Sequence, residues 1–231
     1  MPASILRAGF FIPNLTFPAF IGMWENLTIY QFQQIAKIIE QFPKDGTDIE
    51  LEADIIALME GINVDKLSLR EFKELRGKYA YLLQPIPDGK PANTFKVGSS
   101  KYGIIYDVSN INYGQYNEVV QFASGNKVIP NLHKLMATIC VPMKRNMFGL
   151  WVVDRDKKTH NVIADEMLKA PFLVCYQAAV FFYQVFKGFL QVMKEPFLIQ
   201  IMKIQKVNKE QAQEIYQHLM NSMGGYTMLK L

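Results

Sequence analysis

The apolar positions of this chain fall into helical stripes over most of its length and alternate in only one short stretch. Between Leu27 and Phe42, the residues Ile29, Phe32, Ile35, Ile38, Ile39 and Phe42 recur at steps of three and four, the spacing that lines one face of an α-helix. Leu51, Ile55, Leu58 and Met59 repeat the pattern from Asp48 to Glu60, and Leu69, Phe72, Leu75, Tyr79 and Leu82 repeat it from Leu69 to Leu83. Each stripe opens on a hydroxyl followed three residues later by Gln or Glu: Thr28 and Gln31, Thr47 and Glu50, Ser68 and Glu71. That spacing lets two side chains satisfy two orphan backbone N–H groups reciprocally, so it marks a helix start. Pro43, Asp45 and Gly46 end the first helix, Gly61 suits the left-handed position after the second, and Pro85 and Pro87 stop the third. Three short helices with tight joints predict a compact antiparallel bundle.

The period then changes. Thr94 to Val97 and Lys101 to Val108 partly alternate around Gly98-Ser99-Ser100, with Phe95, Val97, Tyr102, Ile104 and Tyr106 as strand formers, which predicts a hairpin. A lone hairpin is marginal in water, so this one needs cover from helices or from another chain. Asn112 and Gln115 open a further helix to about Ser124, and Pro130 in a first turn opens another through Val141, before Pro142. Residues 143–163 read as a loop or a loose hairpin around Gly149-Leu150-Trp151-Val152-Val153. Helix resumes from Asp165 to about Met193, breaks near Pro196 and continues to about Val207. A last helix runs from Asn208 to Met220 and stops at Gly224-Gly225.

The expected fold is therefore mainly α: a helical bundle with one small β-hairpin insertion (about 94–108) and an extended N-terminal arm. Residues 1–25 form the arm and 26–142 the helical core with its hairpin. Residues 143–231 form a loop plus C-terminal helices, in the same domain or as an interface extension. Pro2, Pro13 and Pro18 keep the arm extended or turned. Its Phe10, Phe11, Phe17 and Trp24 are too apolar to be left in water, so the arm is expected to dock on its own core or on a neighbour.

Composition narrows the class. Of 231 residues, 50% are hydrophobic and 20% charged, which excludes a disordered chain. The net charge of +4 is spread among interspersed acids and bases, without the concentrated stripe of a dedicated nucleic-acid binder. Cys140 and Cys175 stand far apart in apolar stretches and read as free thiols in a reducing compartment. Arg7 and Pro13 interrupt the apolar run near the start, so no secretory signal is expected. Pro171 to Met193 is apolar enough to raise a membrane span, but Gln177, Gln184, Lys187 and Gln191 punctuate it. A helix buried on most sides or covered by a neighbouring subunit is expected instead.

No reactive motif stands out. His133, His160 and His218 lack metal-ligand spacing to each other or to a cysteine, and His133 is expected on a helix surface. Both thiols sit where a thiolate is disfavoured. Gly98-Ser99-Ser100-Lys101 lies between strands rather than before a helix, so it is not a phosphate loop. Asp48/Glu52, Glu50/Asp54 and Glu71/Glu74 fall in or near first turns, where the helix dipole favours carboxylates without catalytic purpose. The expectation is a protein that is not an enzyme and holds neither cofactor nor metal.

Several stretches together resemble virion proteins of crAss-like and related phages of Bacteroidetes. They are the Leu27–Phe42 helix opening on Tyr30-Gln31, and the helix from Leu69-Arg70-Glu71-Phe72 to Leu82-Leu83-Gln84-Pro85. The Tyr102–Tyr106 strand, Asn112-Tyr113-Gly114-Gln115-Tyr116, and Asn131-Leu132-His133-Lys134-Leu135 running to Val141-Pro142 complete the set. The likeness covers about residues 27–142 and lies in the order of elements. It implies a structural subunit of a ring or connector at the portal–tail junction of a short-tailed phage, helping to form the DNA exit channel. Its partners would be itself, in a closed cyclic ring, and the portal and other tail proteins. It would reside in the virion, and in the host cytoplasm during assembly, without spanning a membrane.

Such a subunit needs two different apolar faces that meet head to tail. The arm, the hairpin and the C-terminal helix nominate Phe10, Phe11, Phe17, Trp24, Phe95, Tyr102, Phe181, Phe182 and Phe186 as interface residues. A transient, chaperone-like assembly factor is the alternative. A DNA-binding accessory protein ranks lower; non-specific contact with packaged DNA would use Lys144, Arg145, Lys157 and Lys158.

Overall fold

The three hydroxyl–carboxamide and hydroxyl–carboxylate pairs start their helices where the spacing put them. In the computed structural model, which describes residues 24–123, 128–154, 158–192 and 194–224, Thr28, Thr47 and Ser68 each complete a reciprocal capping box. The Gln31 amide donates to Thr28 Oγ1 at 3.2 Å while the Thr28 amide donates to Gln31 Oε1 at 3.0 Å. These boxes open α1 (Ile29–Gln41), α2 (Asp48–Glu60) and α3 (Leu69–Tyr79). Gly61 closes α2 with φ +66, its amide donating to Ala57 O at 2.9 Å, a conformation that costs other residues more. Thr28→Ala is expected to lower stability by about 1 kcal/mol, seen as a lower urea midpoint at unchanged slope.

The remaining helices are α4 (Tyr113–Ala123), α5 (Val128–Ile139), α6 (His160–Met167), α7 (Phe172–Val192), α8 (Lys194–Gln205) and α9 (Lys209–Gly224). The fold is mainly α, as expected. The arm, with Phe10, Phe11 and Phe17, lies outside the described residues.

One long helix organises the core. Along α7, Phe172, Cys175, Ala179, Phe182, Phe186 and Leu190 are buried at three- and four-residue steps, so a single inward face meets the other helices. Phe172 stacks on Phe32 of α1 with ring centroids 3.7 Å apart, and Trp24 packs against Phe32, Phe172 and Tyr81. Backbone bonds lock this junction: Ile29 N donates to Ala170 O at 3.0 Å and Phe172 N to Leu27 O at 2.7 Å. The stretch Phe172–Gln191 is long and apolar enough to cross a membrane by those measures alone, and 44% of it is buried within the chain. The α8–α9 pair has its own small cluster of Leu198, Ile201, Ala212 and Tyr216. It is tied back to α7 by Tyr216 Oη donating to Leu190 O at 3.0 Å.

The β structure is larger than one hairpin. β1 (Thr94–Val97), β2 (Ser100–Ile104), β3 (Cys140–Arg145) and β4 (Trp151–Val153) form a four-stranded antiparallel meander in that order. The helix expected to reach Val141 ends at Ile139. Pro142 cannot extend a helix and pushes the residue before it towards extended backbone, and the open edge of β2 takes up the freed strand, with Tyr102 opposite Pro142. The cover that the first hairpin required comes from within the chain. Similarly, the helix expected from Asp165 begins at His160 and breaks after Met167, ahead of Pro171.

Candidate interaction surface

Most of the aromatic residues nominated as an interface belong to the chain's own core. Trp24, Phe95, Tyr102, Phe182 and Phe186 are all buried, and Phe181 is half-buried, its ring edge-on to Tyr106 at 5.0 Å. Strand alternation turns Phe95 and Tyr102 inward, and the three–four rhythm of α7 does the same for Phe182 and Phe186. This corrects the expected assignment: none of those five can meet a partner without unfolding.

Among the described residues, a dense run of exposed apolar side chains lies instead at the tip of the β3–β4 hairpin, within the stretch expected as a loop or a loose hairpin. Asn146 builds the turn. Its Oδ1 accepts the amides of Phe148 at 3.0 Å and Leu150 at 2.9 Å, and its carbonyl accepts the Gly149 amide at 2.9 Å. Gly149 sits at φ +75, where a side chain would strain the backbone. With its polar backbone paired inward, the tip turns its side chains to water: Met147 is 91% exposed, Phe148 78% and Leu150 63%. Val152 and Val153 extend the patch along β4. The one signal in the sequence was the apolar run Met147-Phe148-Gly149-Leu150-Trp151 beside a turn-forming Asn, which reads equally well as a buried strand.

Two cations stand at the base of this tip. Trp151 pairs across the strands with Arg145, and its ring lies 5.2 Å from Arg145 Cζ and 4.9 Å from Lys101 Nζ. Two cations on one indole are held by its negative face. Of the four residues nominated for DNA contact, Lys144 is bonded to Asp154 at 2.7 Å and Lys158 to Glu166 at 2.7 Å. Arg145 stacks on Trp151, and Lys157 lies outside the described residues. The chain's own carboxylates thus hold two of the four, which leaves no continuous basic stripe among them.

Two polar clusters were invisible in the sequence. In the first, Thr138 Oγ1 on α5 meets Glu118 Oε2 of α4 at 2.9 Å, Lys134 O at 3.0 Å and His160 Nε2 of α6 at 3.1 Å. His160 Nε2 also approaches Glu118 at 3.5 Å. A nucleophile–base relay needs the carboxylate on the ring nitrogen opposite the hydroxyl. Here both partners meet the same nitrogen, so the cluster works as a clasp on three helices. In the second, Tyr102 Oη donates to Glu166, which also accepts from Lys158. Burial pushes the Glu166 carboxyl up, but the hydrogen bonds from Lys158 and Tyr102 outweigh it and hold its pKa below the ordinary value.

A carboxylate with a lowered folded-state pKa contributes stability above its unfolded value, and that contribution is lost as pH falls through the lowered one. Glu166→Gln is therefore expected to flatten part of the acid limb of stability against pH while leaving its shape above neutrality unchanged. Urea unfolding at stepped pH checks this.

Other titratable groups are enclosed. His133, expected on a helix surface, is half-buried with Nδ1 3.0 Å from Gln33 Nε2, and burial holds its pKa below the ordinary range. Burial pushes both thiols, Cys140 and Cys175, well up. Among the described residues no three His, Cys, Asp or Glu side chains gather in a way that could hold a metal ion. Compared with protein-family models, curated proteins and solved structures, the chain finds no match.

Proposed function

We propose that this chain is a non-catalytic structural subunit that associates with its own copies in a closed ring. The ring is of the portal–tail connector kind that the resemblance over residues 27–142 implies, with the β3–β4 hairpin as a principal contact. The observation that carries this reading is the ordered, outward-facing Met147-Phe148-Leu150 tip. Burying a Met, Phe or Leu side chain from water is worth about 1.5–3 kcal/mol each. The tip is already fixed by the hydrogen bonds of Asn146, so little ordering entropy opposes its docking. A clasp of polar side chains joining α4, α5 and α6 and a core closed around α7 suit a rigid building block.

The remaining surface of such a ring would face the portal and other tail proteins, in the virion and, during assembly, in the host cytoplasm. Sedimentation of the purified chain over a range of concentrations, with imaging of the largest species, tests the reading. Discrete oligomers with rotational symmetry are expected; a monomer at every concentration contradicts it. Absence of the chain from finished particles, measured by mass spectrometry, would instead identify a transient assembly factor.

A further inference from the structure

The hairpin is basic and apolar, and a second exposed surface of the same chain is acidic and apolar. Between Asp45 and Asp65 the sequence carries seven carboxylates and no lysine or arginine. Two of them are neutralised within the chain, Glu52 by Arg76 and Glu60 by Lys78. The side chains of Asp45, Asp48, Asp54 and Asp65 are exposed and enter no ion pair among the described residues. Along α2, Glu50, Asp54 and Leu58 follow one another at four-residue steps on one exposed line. Leu58 is 37% exposed, Ile62 just past the Gly61 cap 38%, and Ile49 56%. The line therefore runs from carboxylates at one end to aliphatic side chains at the other.

The hairpin presents the matching sequence. Strand register places Lys96, Lys101, Met143 and Val153 in one row across the sheet and Arg145 beside Trp151. Those positions include three cations and no carboxylate. Beyond them, the exposed side chains of the tip, Met147, Phe148 and Leu150, are apolar. From Glu50 to Leu58 the helix rises about 12 Å at 1.5 Å per residue, and the hairpin likewise carries its cations on the strands and its exposed apolar side chains on the turn that follows. Cations and apolar tip can thus meet carboxylates and apolar end in one register.

Resting on the self-association reading above, we infer that the β3–β4 hairpin of one copy docks on the α2 face of the next. Met147 and Phe148 seat on Leu58 and Ile62, and Arg145 and Lys101 face Asp54 and Glu50. Two like-charged hairpins repel, so the contact is heterologous: each copy gives its hairpin to one neighbour and its α2 face to the other. That geometry closes into a ring when the rotation allows.

The test uses two full-length variants, one altered at the exposed Arg145 and the half-buried Lys101 (Arg145→Glu with Lys101→Glu), the other at exposed positions of α2 (Asp54→Lys with Leu58→Lys). Phe148→Asp serves as a second hairpin variant, and circular dichroism confirms that each is folded. Each alone is expected to associate at least about tenfold more weakly than wild type, with the loss steepest at low salt. Mixed in equal amounts, the two variants keep one native contact, and the reversed charges of the hairpin variant face the reversed charges of the α2 variant, so the mixture should form dimers and larger species more tightly than either variant alone. If wild type assembles and the variants assemble to the same mass, or the mixture makes no dimer, this docking is wrong although self-association stands. If wild type stays monomeric, the reading beneath it has failed. In that case, hairpin-dependent sedimentation with phosphatidylserine vesicles would assign the tip to an anionic lipid surface instead.

Discussion

Trp24→Ala is expected to lower the unfolding free energy by about 3–5 kcal/mol, the usual range for truncating a large buried aromatic. Trp24 is 1% exposed and lies at the junction where α1 begins and α7 begins. Its ring meets Tyr81 edge-on at 5.3 Å and tilts against Phe172 at 5.9 Å and Phe32 at 6.1 Å. Removing it leaves a cavity lined by three rings that the backbone bonds between Leu27, Ile29, Ala170 and Phe172 prevent from collapsing. Domains are commonly stable by only about 5–15 kcal/mol, so this loss is a large fraction of the whole and the urea midpoint should fall accordingly. Urea unfolding followed by circular dichroism measures the effect. A loss under about 0.5 kcal/mol would show that Trp24 is not packed as described, since that is the range of surface changes.

Phe148→Asp is expected to do the reverse: leave the fold intact and weaken association. At 78% exposure the ring makes little contact within the chain, and the turn is held by Asn146 and Gly149 rather than by Phe148. The unfolding midpoint should therefore stay within that of the wild-type monomer. In an interface, by contrast, a central aromatic commonly carries 2 kcal/mol or more, and a carboxylate there would be buried unpaired. The dissociation constant should rise by about thirtyfold or more. Equilibrium sedimentation of both proteins, paired with their unfolding curves, reads the two quantities separately. Equal masses at equal concentration would remove the hairpin from the contact.

The contrast between these residues shows what was legible in the sequence. Local rules placed the three capping boxes, the Gly61 cap and the β1–β2 hairpin, because each depends on residues a few positions apart. Strand β3 was not legible: Cys140–Arg145 becomes a strand by pairing with Ser100–Ile104, a partner distant in sequence, and only the proline hinted at it. Trp24, Phe95, Tyr102, Phe182 and Phe186 were mistaken for interface residues because composition reports that a side chain is apolar, not which way it points. Met147 and Phe148 show the opposite failure. A short apolar run resembles a buried strand until the Asn146 hydrogen bonds reveal a tip that faces outward. The Glu118–Thr138–His160 clasp needs three helices to assemble and leaves no trace in residue spacing.

Hydrogen exchange of the wild-type chain, compared between dilute and concentrated solution, tests the central claim most directly. If copies associate through the hairpin and the α2 face, amides of residues 145–151 and 50–62 should become protected on assembly while those of buried α7 stay unchanged. Assembly that leaves both segments exchanging as in the monomer, or exchange with no dependence on concentration at all, would contradict it.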